Sequence, residues 1–241
     1  MKWRSLQESG SYSDMRPLRE IFAERKELIA KYVPADVQAV HARAVADLKA
    51  QGLAAQALSI FKVGAKSPSF ELPDHNGKVV SSAHLLAKGP LVLLFIRGRW
   101  CPFWVGQMEA MNYITAEIEA AGGSLVAISP QTEKQAFFMH NQHTLAFPLL
   151  VDAHNQVARQ FGLVYRVPEE QQGLYRSTFV NLPFANGDPS WELPIPATFV
   201  VERDSTILFA SANEDYMDRP EPLEILSMIE AASGSAGVRS E

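Results

Sequence analysis

The sequence predicts an α/β domain, a central sheet flanked by helices with a helical extension in front of it, on three observations. Leu91 to Ile96 is an unbroken apolar run preceded by Gly89 and Pro90, the mark of a short strand buried on both faces. Further apolar runs then alternate with segments of helical periodicity, as in a parallel sheet. Residues 15 to about 58 carry apolar residues at helical spacing in two blocks parted by Pro34.

The whole chain bounds the reading. Its 241 residues, 47% apolar and 20% charged, suffice for one α/β domain and an extension. A net charge of −5, with 22 basic residues in no long cluster, argues against a nucleic-acid partner. No run approaches the ~18 apolar residues of a membrane span, and MKWRSLQESGSYSD lacks the apolar core of a signal peptide. We therefore expect a cytoplasmic protein with no membrane partner. One cysteine excludes an internal disulfide and a cysteine-only metal site, and none of the six histidines forms a zinc pattern. No cofactor and no metal are expected.

Taken in order, Pro17 opens the first helical block (Leu18, Ile21, Phe22, Leu28, Ile29, Tyr32), and Val37, Val40, Ala44, Leu48 and Leu53 mark the second. Their stripes need a covering surface, preferably the parent domain, with a homodimer as the alternative. Phe70 to Leu72 and Val79-Val80 flank the turn His75-Asn76-Gly77-Lys78 as a small hairpin. After the buried run, Arg97-Gly98-Arg99 breaks the strand. Pro102 opens a helix whose Val105, Met108, Met111, Thr115 and Ile118 run at helical spacing to Gly122-Gly123. Leu125 to Ile128 is the next buried strand, ending in Ser129-Pro130-Gln131-Thr132. Thr132 there reads as a helix cap. Phe147 to Val151 is a third strand and Asn155 to Phe161 a short helix. From Leu163 to Leu193 the pattern dissolves into a long irregular connection with Tyr165, Tyr175, Phe179, Phe184 and Trp191, in which Glu169 to Arg176 suggest a helical turn or two; it reads as a lid or substrate wall, or as a dimer contact or plain surface packing, the latter pair favoured. Pro196 precedes the strand 197–201, Ile207 to Ala210 returns antiparallel, Pro222 to Ile229 is the last helix, and Gly234 to Glu241 is a polar tail.

Cys101 therefore stands at a helix N-terminus, where free backbone N–H groups favour an anion, with Arg97 and Arg99 close in sequence. That pattern points to a reactive thiolate more than to a packed core cysteine.

FIRGRWCPFW resembles the thioredoxin-fold signature and is most similar to the peroxiredoxin-like branch of the alkyl hydroperoxide reductase and thiol-specific antioxidant (AhpC/TSA) family, with its Arg-Gly-x-Trp-Cys-Pro-x-Cys loop. VGAKSPSFELPDHNGKVVS, LVAISPQT and WELPIPATFVVERD extend the resemblance over residues 62–230. It implies a helical extension at 1–61, a thioredoxin-like domain at 62–230 and a flexible tail at 231–241. It implies Cys101, Arg97 and Arg99 as catalytic residues, Trp100, Trp104, Pro196 and Thr198 as substrate-binding ones, and a cis bond before Pro196. The sequence departs from the pattern where Trp104 replaces the second cysteine. Peroxiredoxins carry Pro-x-x-x-Thr/Ser-x-x-Cys, and in that register the threonine falls on Cys101 and the reactive cysteine on Trp104. Three functions stay open: reduction of hydroperoxides by Cys101 with an external thiol of thioredoxin or glutathione type, a monothiol oxidoreductase forming mixed disulfides, and a non-catalytic binding module.

Overall fold

The computed structural model describes residues 16–178 and 180–237. In chain order the elements are α1 Leu18–Tyr32, α2 Ala35–Gln51, α3 Leu53–Ile60, β1 Glu71–Pro73, β2 Val79–Ser81, α4 Ser82–Lys88 and β3 Leu91–Phe95. Next come α5 Pro102–Tyr113, α6 Thr115–Ala120, β4 Ser124–Ser129, α7 Glu133–Gln142 and β5 Leu149–Val151. A 3-10 turn at Ala153–Asn155 leads into α8 Gln156–Gln160, β6 Val164–Arg166, α9 Glu169–Ser177, α10 Leu182–Asn186 and β7 Glu192–Pro194. The chain closes with β8 Ala197–Val201, β9 Ile207–Ala212 and α11 Pro222–Gly237.

The sheet order is β5-β4-β3-β8-β9, so the unbroken apolar run is the middle strand. It pairs parallel with β4 and antiparallel with β8, which makes the sheet mixed. Side chains alternate across a strand, and here both sides are buried. Leu91, Leu93 and Phe95 enter one apolar layer with Leu48, Phe161 and Phe199. Val92, Leu94 and Ile96 enter the other with Cys101, Trp104, Met108, Ile118 and Ile229. The arm packs on its own domain: Leu18 and Phe22 join the second layer, Leu48, Ala54 and Ala57 the first. Among the described residues no helix is long and apolar enough to cross a membrane.

Four expectations are corrected. The helix after Cys101 does not run unbroken to Gly122. It breaks at Ile114 (φ −102°, ψ 7°), where the Thr115 hydroxyl donates to the Met111 carbonyl at 3.0 Å. Two adjacent β-branched residues and that competing bond explain the break. The connection after Leu163 is ordered beyond the helical turn expected at Glu169 to Arg176, which is present as α9: β6 and β7 pair antiparallel, Val164 facing Pro194, and α10 follows α9 between them. Three-residue strands bordered by prolines leave no alternation to read. The bond before Pro196 is trans, since the described chain has no cis peptide. Finally, α11 continues to Gly237, past the point where a polar tail is read; residues 238–241 lie outside the described residues.

Asp152, 1% exposed, holds the turn after β5. Its two oxygens accept from the backbone N–H groups of Val157 and Ala158, each at 2.9 Å. Asp152→Ala orphans both donors and is expected to cost about 2 kcal/mol in urea unfolding. A loss below a few tenths would mean that water satisfies α8.

Candidate active site around Cys101

Cys101 is the N-cap of α5 and is 1% exposed. The path from strand to helix turns at Gly98 (φ 135°), where a Cβ would meet the Trp100 indole nitrogen at 2.9 Å and Gln131 Cδ at 3.1 Å. Only glycine fits there. The Cys101 N–H then donates to the Gly98 carbonyl at 3.1 Å, and Pro102 takes the first helical position, where its missing N–H costs nothing. Trp104 and Val105 donate their N–H groups to the Cys101 carbonyl at 3.1 and 3.2 Å.

Arg97 and Arg99 part company. Arg97, 2% exposed, continues the parity of Leu91, Leu93 and Phe95 and points at the 163–194 segment. Its Nη2 donates to the Tyr175 hydroxyl at 2.8 Å. Its guanidinium carbon lies 4.8 Å from the Trp100 ring and 4.5 Å from the Tyr216 ring, both cation–π distances. Burial opposes its charge, but Tyr165, Tyr175, Cys101 and Tyr216 together raise its pKa well above the ordinary arginine value. Burial in turn raises the phenols, Tyr216 to about 12, while the charge on Arg97 works the other way. Arg99 is exposed and turns the other way: its Nε donates to Gln135 Oε1 at 2.8 Å and its N–H to Gln131 Oε1 at 3.0 Å. The Ser129 to Thr132 loop therefore does meet the cysteine loop, through Gln131, while Thr132 caps α7 by accepting from the Gln135 N–H.

Two arginines that local sequence reading misses also interact electrostatically with Cys101. Arg25 of α1, 5% exposed, donates through Nη1 to the Pro102 carbonyl. Burial lowers its pKa, while Glu109 and Cys101 act in the opposite direction. Arg219, ahead of α11, donates to the Asp218 carbonyl at 2.6 Å and keeps a buried Nε without a hydrogen-bond partner. Burial brings its pKa down to about 10, with Cys101 opposing that shift and Arg97 adding to it. Three guanidiniums from three separate elements are thus coupled to one thiol.

The remaining expected residues are spread around this centre. Trp100 is partly exposed, its ring 5.3 Å from that of Tyr175. Trp104 is 2% exposed and fills the first turn of α5, its indole nitrogen without a partner. The β3–β8 register sets Ala197 opposite Phe95, which brings Pro196 to the end of the two strands where the cysteine loop leaves β3. Thr198 is 1% exposed and accepts from Gln107 of α5 at 3.4 Å, so its hydroxyl faces a helix. Beside the thiol loop a groove of about 380 Å³ is lined by Arg99, Trp100, Gln135, Val180, Asn181, Phe184 and Ala185. Val180, Asn181, Phe184 and Ala185 of the long connection line this groove, so the connection meets the cysteine loop there. Among the described residues no group of three His, Cys, Asp or Glu side chains is placed to hold a metal.

Residues 63–210 match the AhpC/TSA family. The chain belongs to that family. It is 32% identical over 120 residues to a Mycobacterium tuberculosis protein named as a "putative peroxiredoxin", an overlap of 49% of this chain and 77% of the relative. A Coxiella burnetii protein named in the same way, as bcp, is 27% identical over 122 residues, 49% of this chain and 80% of its own. Among solved structures, the peroxidoxin BcpB of M. tuberculosis superposes with a TM-score of 0.56 at 25% identity, over 71% of this chain and 97% of that one. M. tuberculosis AhpC shares the fold with a TM-score of 0.55 at 16% identity, covering 73% and 95%. The AhpC/TSA match ends before Arg219 and begins after the arm that carries Arg25.

Proposed function

We propose that this protein reduces hydroperoxides through Cys101, with an external thiol as reductant. The observation that carries the reading is the thiol itself: 1% exposed, at a helix N-terminus, and followed by a turn whose Pro102 carbonyl accepts from Arg25. The ionised sulfur attacks one peroxide oxygen and the O–O bond breaks. Cys101 becomes a sulfenic acid, and the other oxygen leaves as an alkoxide that takes up a proton. Cationic donors in a dry site stabilise the charge on that leaving oxygen. With one cysteine in the chain, no internal thiol can resolve the product. An external thiol condenses with the sulfenic acid, releasing water and leaving a mixed disulfide; a second thiol then frees Cys101 and departs as disulfide.

The monothiol alternative draws on the same lone cysteine, but a thiol that is 1% exposed admits a small peroxide more readily than a bulky disulfide. The test is mass spectrometry after peroxide in the presence of a sulfenic-acid trap, beside the same protein treated with oxidised glutathione and a Cys101→Ser control. A trapped adduct on Cys101 supports the peroxidase. Glutathionylation without a trapped adduct would replace it by the monothiol reading, and an inert cysteine by the binding module.

A further inference from the structure

The arm in front of the family domain reaches the first turn of α5 through Arg25 and Phe22. Arg25 is 5% exposed, and its guanidinium bonds the carbonyl of Pro102, the residue after the cysteine. The facing position on α5 is Gly106, where a Cβ would run into the Arg25 guanidinium, 2.9 Å from its Cζ, and into Phe22 Cε1, also at 2.9 Å. Glycine is among the least favoured residues in a helix interior, and here it leaves the notch that admits the arginine. Phe22, one turn earlier on α1, sets its edge on Phe103 at 5.2 Å and 86°, which fixes α1 over the same turn. Glu109 and Cys101 are the charged or ionisable groups that act on Arg25 here, both favouring its charge against burial.

We propose that Arg25 is a positioning residue for the chemistry of Cys101: α1 docks its guanidinium in the Gly106 notch, where it fixes the Pro102 turn and adds positive charge beside the sulfur. The arm thereby completes a site that the family domain holds only in part. This rests on Cys101 being the reacting atom, and its test needs no peroxide.

The single cysteine is alkylated with iodoacetate and with iodoacetamide, reagents of similar size that differ in charge. Arg25→Ala is expected to lower the iodoacetate-to-iodoacetamide rate ratio at least about fivefold, since a cation near the sulfur draws in the anionic reagent. Loosening of α1 without a charge effect moves both rates together and leaves the ratio alone. Arg25→Lys should keep the ratio near that of the wild type. Gly106→Ala, a change that otherwise favours a helix, should reproduce the alanine result by expelling the guanidinium. Thermal melts confirm that each variant is folded. The proposal is overturned by an unchanged ratio in Arg25→Ala, by lysine behaving as alanine, or by Gly106→Ala behaving as wild type. A lowered ratio in a protein that traps no sulfenic acid supports the role of Arg25 while sinking the peroxidase reading.

Discussion

Arg97→Leu is expected to slow oxidation of Cys101 by peroxide about a hundredfold while the protein stays folded, the scale of losing one preorganised donor at a reacting centre. Arg97 is 2% exposed, and among the described residues it makes no ion pair with a carboxylate. Its company is the Tyr175 hydroxyl and the faces of Trp100 and Tyr216. A buried charge held by hydroxyls and rings adds little to stability, and replacing it with an apolar side chain of similar volume is often close to neutral. The Tyr175 hydroxyl loses its donor, at a cost of about 1–2 kcal/mol. Stopped-flow oxidation rates beside a thermal melt separate the two effects. Arg97→Lys should recover part of the rate, because charge returns without the planar fork that meets Tyr175. A folded Arg97→Leu protein that reacts at the wild-type rate would reduce Arg97 to a packing element.

Trp104→Cys carries the largest expected change in both stability and chemistry. Trp104 is 2% exposed, so truncation is expected to cost about 3–5 kcal/mol. Its indole nitrogen has no partner, so no hydrogen bond is lost with the ring. Residues three apart at a helix start lie on one face, and the Trp104 N–H already folds back on the Cys101 carbonyl at 3.1 Å. A cysteine there should close a disulfide with Cys101 under mild oxidant and confer insulin reduction, which the wild type is expected to lack. If the variant is folded and forms no such bond, the two positions do not face each other and the thioredoxin-like register at Trp104 fails.

How much could be read in advance depended on the range of the contact. β3 was legible because a middle strand is apolar on both faces, and the cysteine corner because Gly98, Pro102 and the Met108–Met111 stripe are all local signals. The arginine set was half legible. Arg97 and Arg99 are equidistant from suspicion in the sequence, yet strand parity sends Arg97 into the core and leaves Arg99 on Gln135. Arg25 bonds a carbonyl 77 residues away, a partnership without local periodicity. Gly106 was its one available trace, an interior helix glycine with no turn to explain it. In the 163–194 segment a helical turn was legible at Glu169 to Arg176, but α9 buries polar Gln171 and Gln172 beside Tyr175, so its inner face does not look apolar. Gln172 uses that burial to donate to the Val167 carbonyl at 2.7 Å.

The near-complete burial of Cys101 also sets a clock. Under the proposed chemistry a sulfenic acid forms behind Trp104, Phe103 and α1, a wall that holds back a bulky reducing thiol more than a small second peroxide, so repair waits on an opening that irreversible oxidation does not need.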